Sequence, residues 1–143
     1  MKRLLVGLTI LIVSITTAFS QNKVDYNTYD VIANSGNITV VAKEKDYRMI
    51  VGPIKKPTAV FLLGYSNEFA KNKIERLLTV CGNKKHSKKN RDISFCGIPL
   101  HYSVIGNGNA EQYSFVGDLD NVKFVLTKED ILSIQGQLAE KNK

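Results

Sequence analysis

Both cysteines and both histidines of the chain lie between positions 81 and 101, and each Cys is followed five positions on by a His: Cys81 with His86, Cys96 with His101. Thiols and imidazoles so close together can form a disulfide, hold a metal or act as a nucleophile pair. A disulfide between Cys81 and Cys96 ranks first, because two Cys in an exported chain mature in an oxidising space. Closing a loop of about 15 residues is worth ~3 kcal/mol in the chain-entropy model. Next come two ordinary thiols with two surface imidazoles, since Cys is a common core residue. A zinc site of Cys81, His86, Cys96 and His101 ranks third. The four donors suit tetrahedral zinc, but the close CxxC knuckle is missing and His86 stands among lysines. A Cys–His nucleophile pair lacks an identifiable orienting third group, so no catalytic residue is assigned.

The same segment carries the main charge feature. Lys84, Lys85, Lys88, Lys89 and Arg91 stand within eight positions, opposed only by Asp92. Such a cluster can release counterions from a polyanion and so bind it in a salt-dependent way. These five residues are the candidate anion-binding set. No aromatic residue interleaves them, which removes the stacking platform a single-stranded nucleic acid would use. A merely solvated loop tip is the plainer reading of a short charge run. The whole chain of 143 residues has a formal charge of +7. Without Lys2 and Arg3 it is +5, and most of that sits in this loop.

These residues need elements to hold them. The hydrophobic fraction of 43% and charged fraction of 23% are those of a globular chain. Alternating residues predict a strand over 24–33 with a bulge, then strands over 38–43 and 47–51. The continuous apolar run Ala59–Leu63 predicts a strand buried on both faces in mid-sheet, with Leu62 fully buried. Ser66 caps a predicted helix over 66–81, with Ala70, Ile74, Leu77, Leu78 and Cys81 as its apolar stripe. Strands resume at Ile93, where Pro99 interrupts, and continue around the turn signals Gly106–Asn109 and Asp118–Asn121. A second helix is predicted over 127–141. Thr127 and Asp130 form its capping box, and Ile131, Leu132, Gln135 and Leu138 its inner face. The expected class is α+β: a mainly antiparallel sheet of six to eight short strands with two helices packed on one face. No internal repeat is visible.

Residues 1–20 read as a secretory signal. Lys2 and Arg3 precede the apolar stretch Leu4–Phe19, which is too short for a membrane span. Ala18-Phe19-Ser20 supplies small residues where signal peptidase reads, with cleavage before Gln21. The expected mature chain, 21–143, is a single domain with no membrane span, periplasmic or extracellular. The expected function is a small exported binding or interaction module, not an enzyme and without a cofactor. Its partner would be an unidentified protein or an anionic polymer, not intracellular nucleic acid. The alternatives are an envelope-associated protein whose basic loop 83–91 contacts anionic polymers and, below it, a small metal-dependent hydrolase using His86 or His101.

Overall fold

The computed structural model describes residues 24–82, 91–105, 112–119 and 121–141. The signal segment, the loop residues Lys84 to Lys89 and the turn Gly106–Asn109 lie outside them. So do the side chains of Cys81 and Arg91.

The fold is α+β. Strands β1 (Asp30–Ser35), β2 (Ile38–Lys43), β3 (Asp46–Val51) and β4 (Ala59–Gly64) form a first antiparallel sheet in that order, and helix α1 (Asn67–Gly82) follows. Strands β5 (Arg91–Phe95), β6 (Ile98–Ile105), β7 (Gln112–Leu119) and β8 (Val122–Thr127) form a second, followed by α2 (Lys128–Glu140). The eight strands thus divide into two sheets rather than one. The order ββββα occurs twice although the sequence shows no repeat. Four strands that bury one face need a cover, and each half supplies one helix for it.

The halves share one hydrophobic cluster. The first sheet contributes Val40, Met49, Phe61 and Leu63, the helices Ile74, Leu77, Ile131, Ile134 and Leu138, and the second sheet Leu100, Tyr102, Phe115, Phe124 and Leu126. Phe61 joins the sheets: its ring lies 5.3 Å from that of Phe95 and 5.9 Å, edge-on, from that of Phe124. Helix α1 packs on β4 and β3, α2 packs on β1, β8 and β7, and the helices pack on each other. The Gln135 amide donates to Glu75 at 3.3 Å and the Asn67 amide to the Leu138 carbonyl at 3.1 Å.

Local chemistry sets the element ends. The Ser66 hydroxyl accepts from the Phe69 N–H at 3.2 Å and caps α1. The Thr127 hydroxyl accepts from the Asp130 N–H at 3.2 Å and donates to the Asp130 carboxylate at 2.9 Å, so the expected cap of α2 forms. The bulge expected in β1 falls between Val31 and Ala33. Pro99 lies in β6 opposite Ser94, before β6 begins to pair with β7, where its missing N–H costs no second ladder.

Three expectations are corrected. Residues Tyr26–Thr28 form a 3₁₀ turn instead of extending the first strand, because the Asp25 side chain accepts from the Asn27 N–H and caps it. The inner face of α2 uses Ile134 where Leu132 was expected; Leu132 is exposed. Positions 131, 134 and 138 are the ones that share a face at helical spacing. The third correction concerns Leu62. Strand β4 is the edge of its sheet, and Leu62 is 59% exposed. Phe61 and Leu63 fill the core from the opposite face, as the two-residue period of a strand requires.

Candidate functional site

The β5–β6 hairpin turns at Cys96 (φ 51°) and Gly97 (φ 80°). Two successive left-handed residues give the backbone twist that a tight hairpin needs. The usual Asn or Asp is absent at the first position, which is why the sequence hides this turn. The turn sets Cys96 against α1. A cleft of about 160 Å³ opens there between Lys73, Arg76 and Leu77 of the helix and the segment Ile93–Cys96. Leu77 and Phe95 are buried and Ile93 is half-buried, so the floor is apolar. Arg76 and Ser94 are exposed at the rim, and Lys73 is half-buried.

Burial pushes the Cys96 thiol above its ordinary value, and the charges of Lys73 and Arg76 pull the other way without overcoming it. The upward shift makes Cys96 a weaker nucleophile near neutral pH. The arrangement suits noncovalent binding: an apolar floor that takes a small hydrophobic body, beside two cations and a hydroxyl that hold an anionic group.

The candidate residues named from the sequence fall unevenly around this cleft. Cys96 lines it and is a free thiol in the structure. Cys81 follows Leu77 by one turn of α1, with its side chain outside the described residues. The chain leaves α1 at Gly82 and enters β5 at Arg91, so the segment carrying Lys84, Lys85, Lys88 and Lys89 joins the two elements that form the cleft. His86 lies outside the described residues. His101 is not at the cleft. It alternates with the buried Leu100 and Tyr102 along β6 and so occupies the opposite face. Its Nδ1 lies 2.8 Å from the Asp92 carboxylate of the cross-strand partner. Cys96 and His101 are therefore not brought together as a shared pair of metal ligands. Among the described residues no group of three or more metal-ligating side chains converges.

Lys73 and Arg76 are not among the residues that the sequence singles out. Their signal was the spacing to Leu77 and the helix end, which places them beside whatever strand follows. Nor does the sequence single out a polar cluster on the first sheet. Arg48 Nε donates to both Asp46 oxygens at 2.9 and 3.1 Å, Arg48 Nη1 donates to the Tyr26 hydroxyl at 2.8 Å, and the Tyr29 hydroxyl donates to Asp46. Burial works to raise the Asp46 carboxyl, but the hydrogen bonds from Arg48 and Tyr29 and the Arg48 charge hold it below the usual range. The hydrogen bond to Asp46 raises the Tyr29 phenol. These groups satisfy one another and bind the 3₁₀ turn to the sheet.

Comparison with protein-family models, with curated proteins and with solved structures gives no significant match. The cleft geometry therefore carries the functional reading alone. Among the described residues no helix is long and apolar enough to cross a membrane.

Proposed function

We propose that the chain is a small exported, non-catalytic binding module that meets an anionic ligand at the α1–β5 cleft. The observation that carries this reading is the cleft itself, with Lys73 and Arg76 at the rim of an apolar floor. The basic segment supports it: the chain between α1 and β5 carries Lys84, Lys85, Lys88 and Lys89, four further cations, and Arg91 opens β5. An extended anion such as a sulfated or phosphorylated surface polymer would meet the cleft cations and the loop cations together, each adding to a salt-dependent affinity. Export through the segment 1–20 belongs to the same proposal and places such polymers within reach.

We also propose that the Cys96 thiol, free in this structure, pairs with Cys81 when the exported chain is oxidised. Cys96 and Leu77 line the same cleft, and Cys81 follows Leu77 by one helical turn. A bridge would join the two ends of the basic segment and present its cations as one lobe. It would need Cα atoms within about 7 Å.

The test is retention of the mature chain on a sulfated-polysaccharide matrix. The expected result is elution by rising salt, at lower salt for Lys73→Ala with Arg76→Ala, and lower again when Lys84, Lys85, Lys88 and Lys89 are neutralised. Equal elution of all variants would overturn the proposal.

A further inference from the structure

The two edges of the first sheet are treated differently. At β1 the Gln137 side chain of α2 donates to the Asn34 carbonyl at 2.7 Å and accepts from the Asn34 N–H at 2.9 Å. The Ser35 hydroxyl donates to Asp130 of the same helix at 2.8 Å. A helix thus covers that edge, which is one of the standard ways to stop a strand from pairing further. At β4, among the described residues, no backbone hydrogen bond comes from outside its own sheet. The strand Ala59–Gly64 carries no charge and no proline, the usual protections of a free edge. A register shift opposite Tyr47 and Arg48 confines regular pairing to Ala59–Leu62.

The composition of β4 is that of a strand inside a sheet, yet one chain leaves it outside. Leu62 on its outer face is 59% exposed, and Tyr65 and Phe69, just beyond it, are also exposed with ring centroids 4.4 Å apart. Leu62 on the strand and the Tyr65–Phe69 pair that follows it leave three large apolar side chains exposed within eight positions, the kind of exposure that an interface would cover.

We propose that β4 pairs antiparallel with β4 of a second copy of this chain, about a two-fold axis, and joins two first sheets into one continuous sheet. Charge favours this occupant. Lys55 and Lys56 precede β4 and Glu68 follows it, all three exposed. Antiparallel self-pairing carries the lysines of each copy towards the glutamate of the other, and no charge lies between them. The contact is isologous, so it closes at two subunits. It does not rest on the cleft reading.

Sedimentation equilibrium of the mature chain from about 1 to about 300 µM spans the affinities of interfaces at the small end of the size scale. The expected result is a monomer–dimer equilibrium. Leu62→Lys should weaken it at least about tenfold while leaving the thermal transition of the dilute protein in place, because the side chain faces water in the monomer. Glu68→Lys should weaken it as well, and Lys55→Glu with Lys56→Glu added to Glu68→Lys should restore it. A wild-type chain that stays monomeric throughout would overturn the proposal. So would a dimer unaffected by Leu62→Lys, or open-ended assembly without a dimer plateau.

Discussion

The ring of Phe124 occupies the space that a side chain at Gly117 would need. The two residues are cross-strand partners in β7 and β8, and a Cβ at Gly117 would lie 2.0 Å from Phe124 Cζ. Phe124 is buried and its ring lies edge-on to Phe61 of the first sheet, so moving it disturbs the packing between the sheets. Gly117→Ala should therefore destabilise by ~1–3 kcal/mol, the cost of overpacking a filled core. Adding Phe124→Leu should recover part of the loss, since the shorter side chain vacates that space. Urea unfolding of the two variants checks both; a Gly117→Ala change within ~0.5 kcal/mol of wild type would contradict the packing.

Neighbouring residues of β4 should respond in opposite ways. Phe61 is fully buried at the junction of both sheets, so Phe61→Ala should cost ~3–5 kcal/mol. Leu62 faces solvent, so Leu62→Ala should stay within ~0.5 kcal/mol when measured on dilute protein. Equal losses at both positions would mean that the outer face of β4 is covered within one chain.

The contrast shows where sequence stops. The helices, their Ser66 and Thr127 caps and the β1 bulge are legible because each depends on residues within a few positions of one another. The burial of Leu62 is not. An apolar run states only that both faces avoid water, while the place of the strand in its sheet depends on pairings made by residues far along the chain. The cleft was half legible. Cys96 and the basic segment were singled out by type, but Lys73 and Arg76 join them only because the hairpin turns at Cys96. That turn hides behind a Cys in a left-handed position usually held by Asn or Asp. The Tyr26–Arg48–Asp46–Tyr29 cluster was invisible because the 3₁₀ turn at Tyr26–Thr28 folds its tyrosines onto a strand some twenty positions on.

That cluster sets a pH dependence. Against the effect of burial, the Arg48 and Tyr29 hydrogen bonds and the Arg48 charge hold the Asp46 carboxyl below its ordinary value of 3.8 in the folded chain. Its contribution is therefore fully present above the unfolded value and is lost as pH falls through the folded one. Tyr29 is shifted upward from 10.0, so its contribution is present below that value and is lost as pH rises through the folded one. Asp46→Asn should flatten the acid side of the stability profile below pH ~5, where the carboxyl of the unfolded chain begins to protonate. Unfolding midpoints of wild type and variant across this range are the check. Parallel profiles would show that Asp46 carries no such linkage.

The proposed bridge between Cys81 and Cys96 has a direct chemical readout. Exported protein denatured without reductant and treated with an alkylating agent should take up no label, and prior reduction should admit two. Reduction should also lower the melting temperature while the sheets persist, because the constrained segment lies between α1 and β5. Labelling of both thiols before reduction would contradict the bridge.

The claim that the α1–β5 cleft binds an anionic ligand is tested most directly by titrating the isotopically labelled mature chain with a sulfated oligosaccharide and following backbone amide shifts. The largest shifts are predicted at Lys73–Leu77 and Ile93–Cys96, shrinking as salt is added. Absence of shifts at low salt, or shifts confined to the outer faces of the sheets, would contradict it.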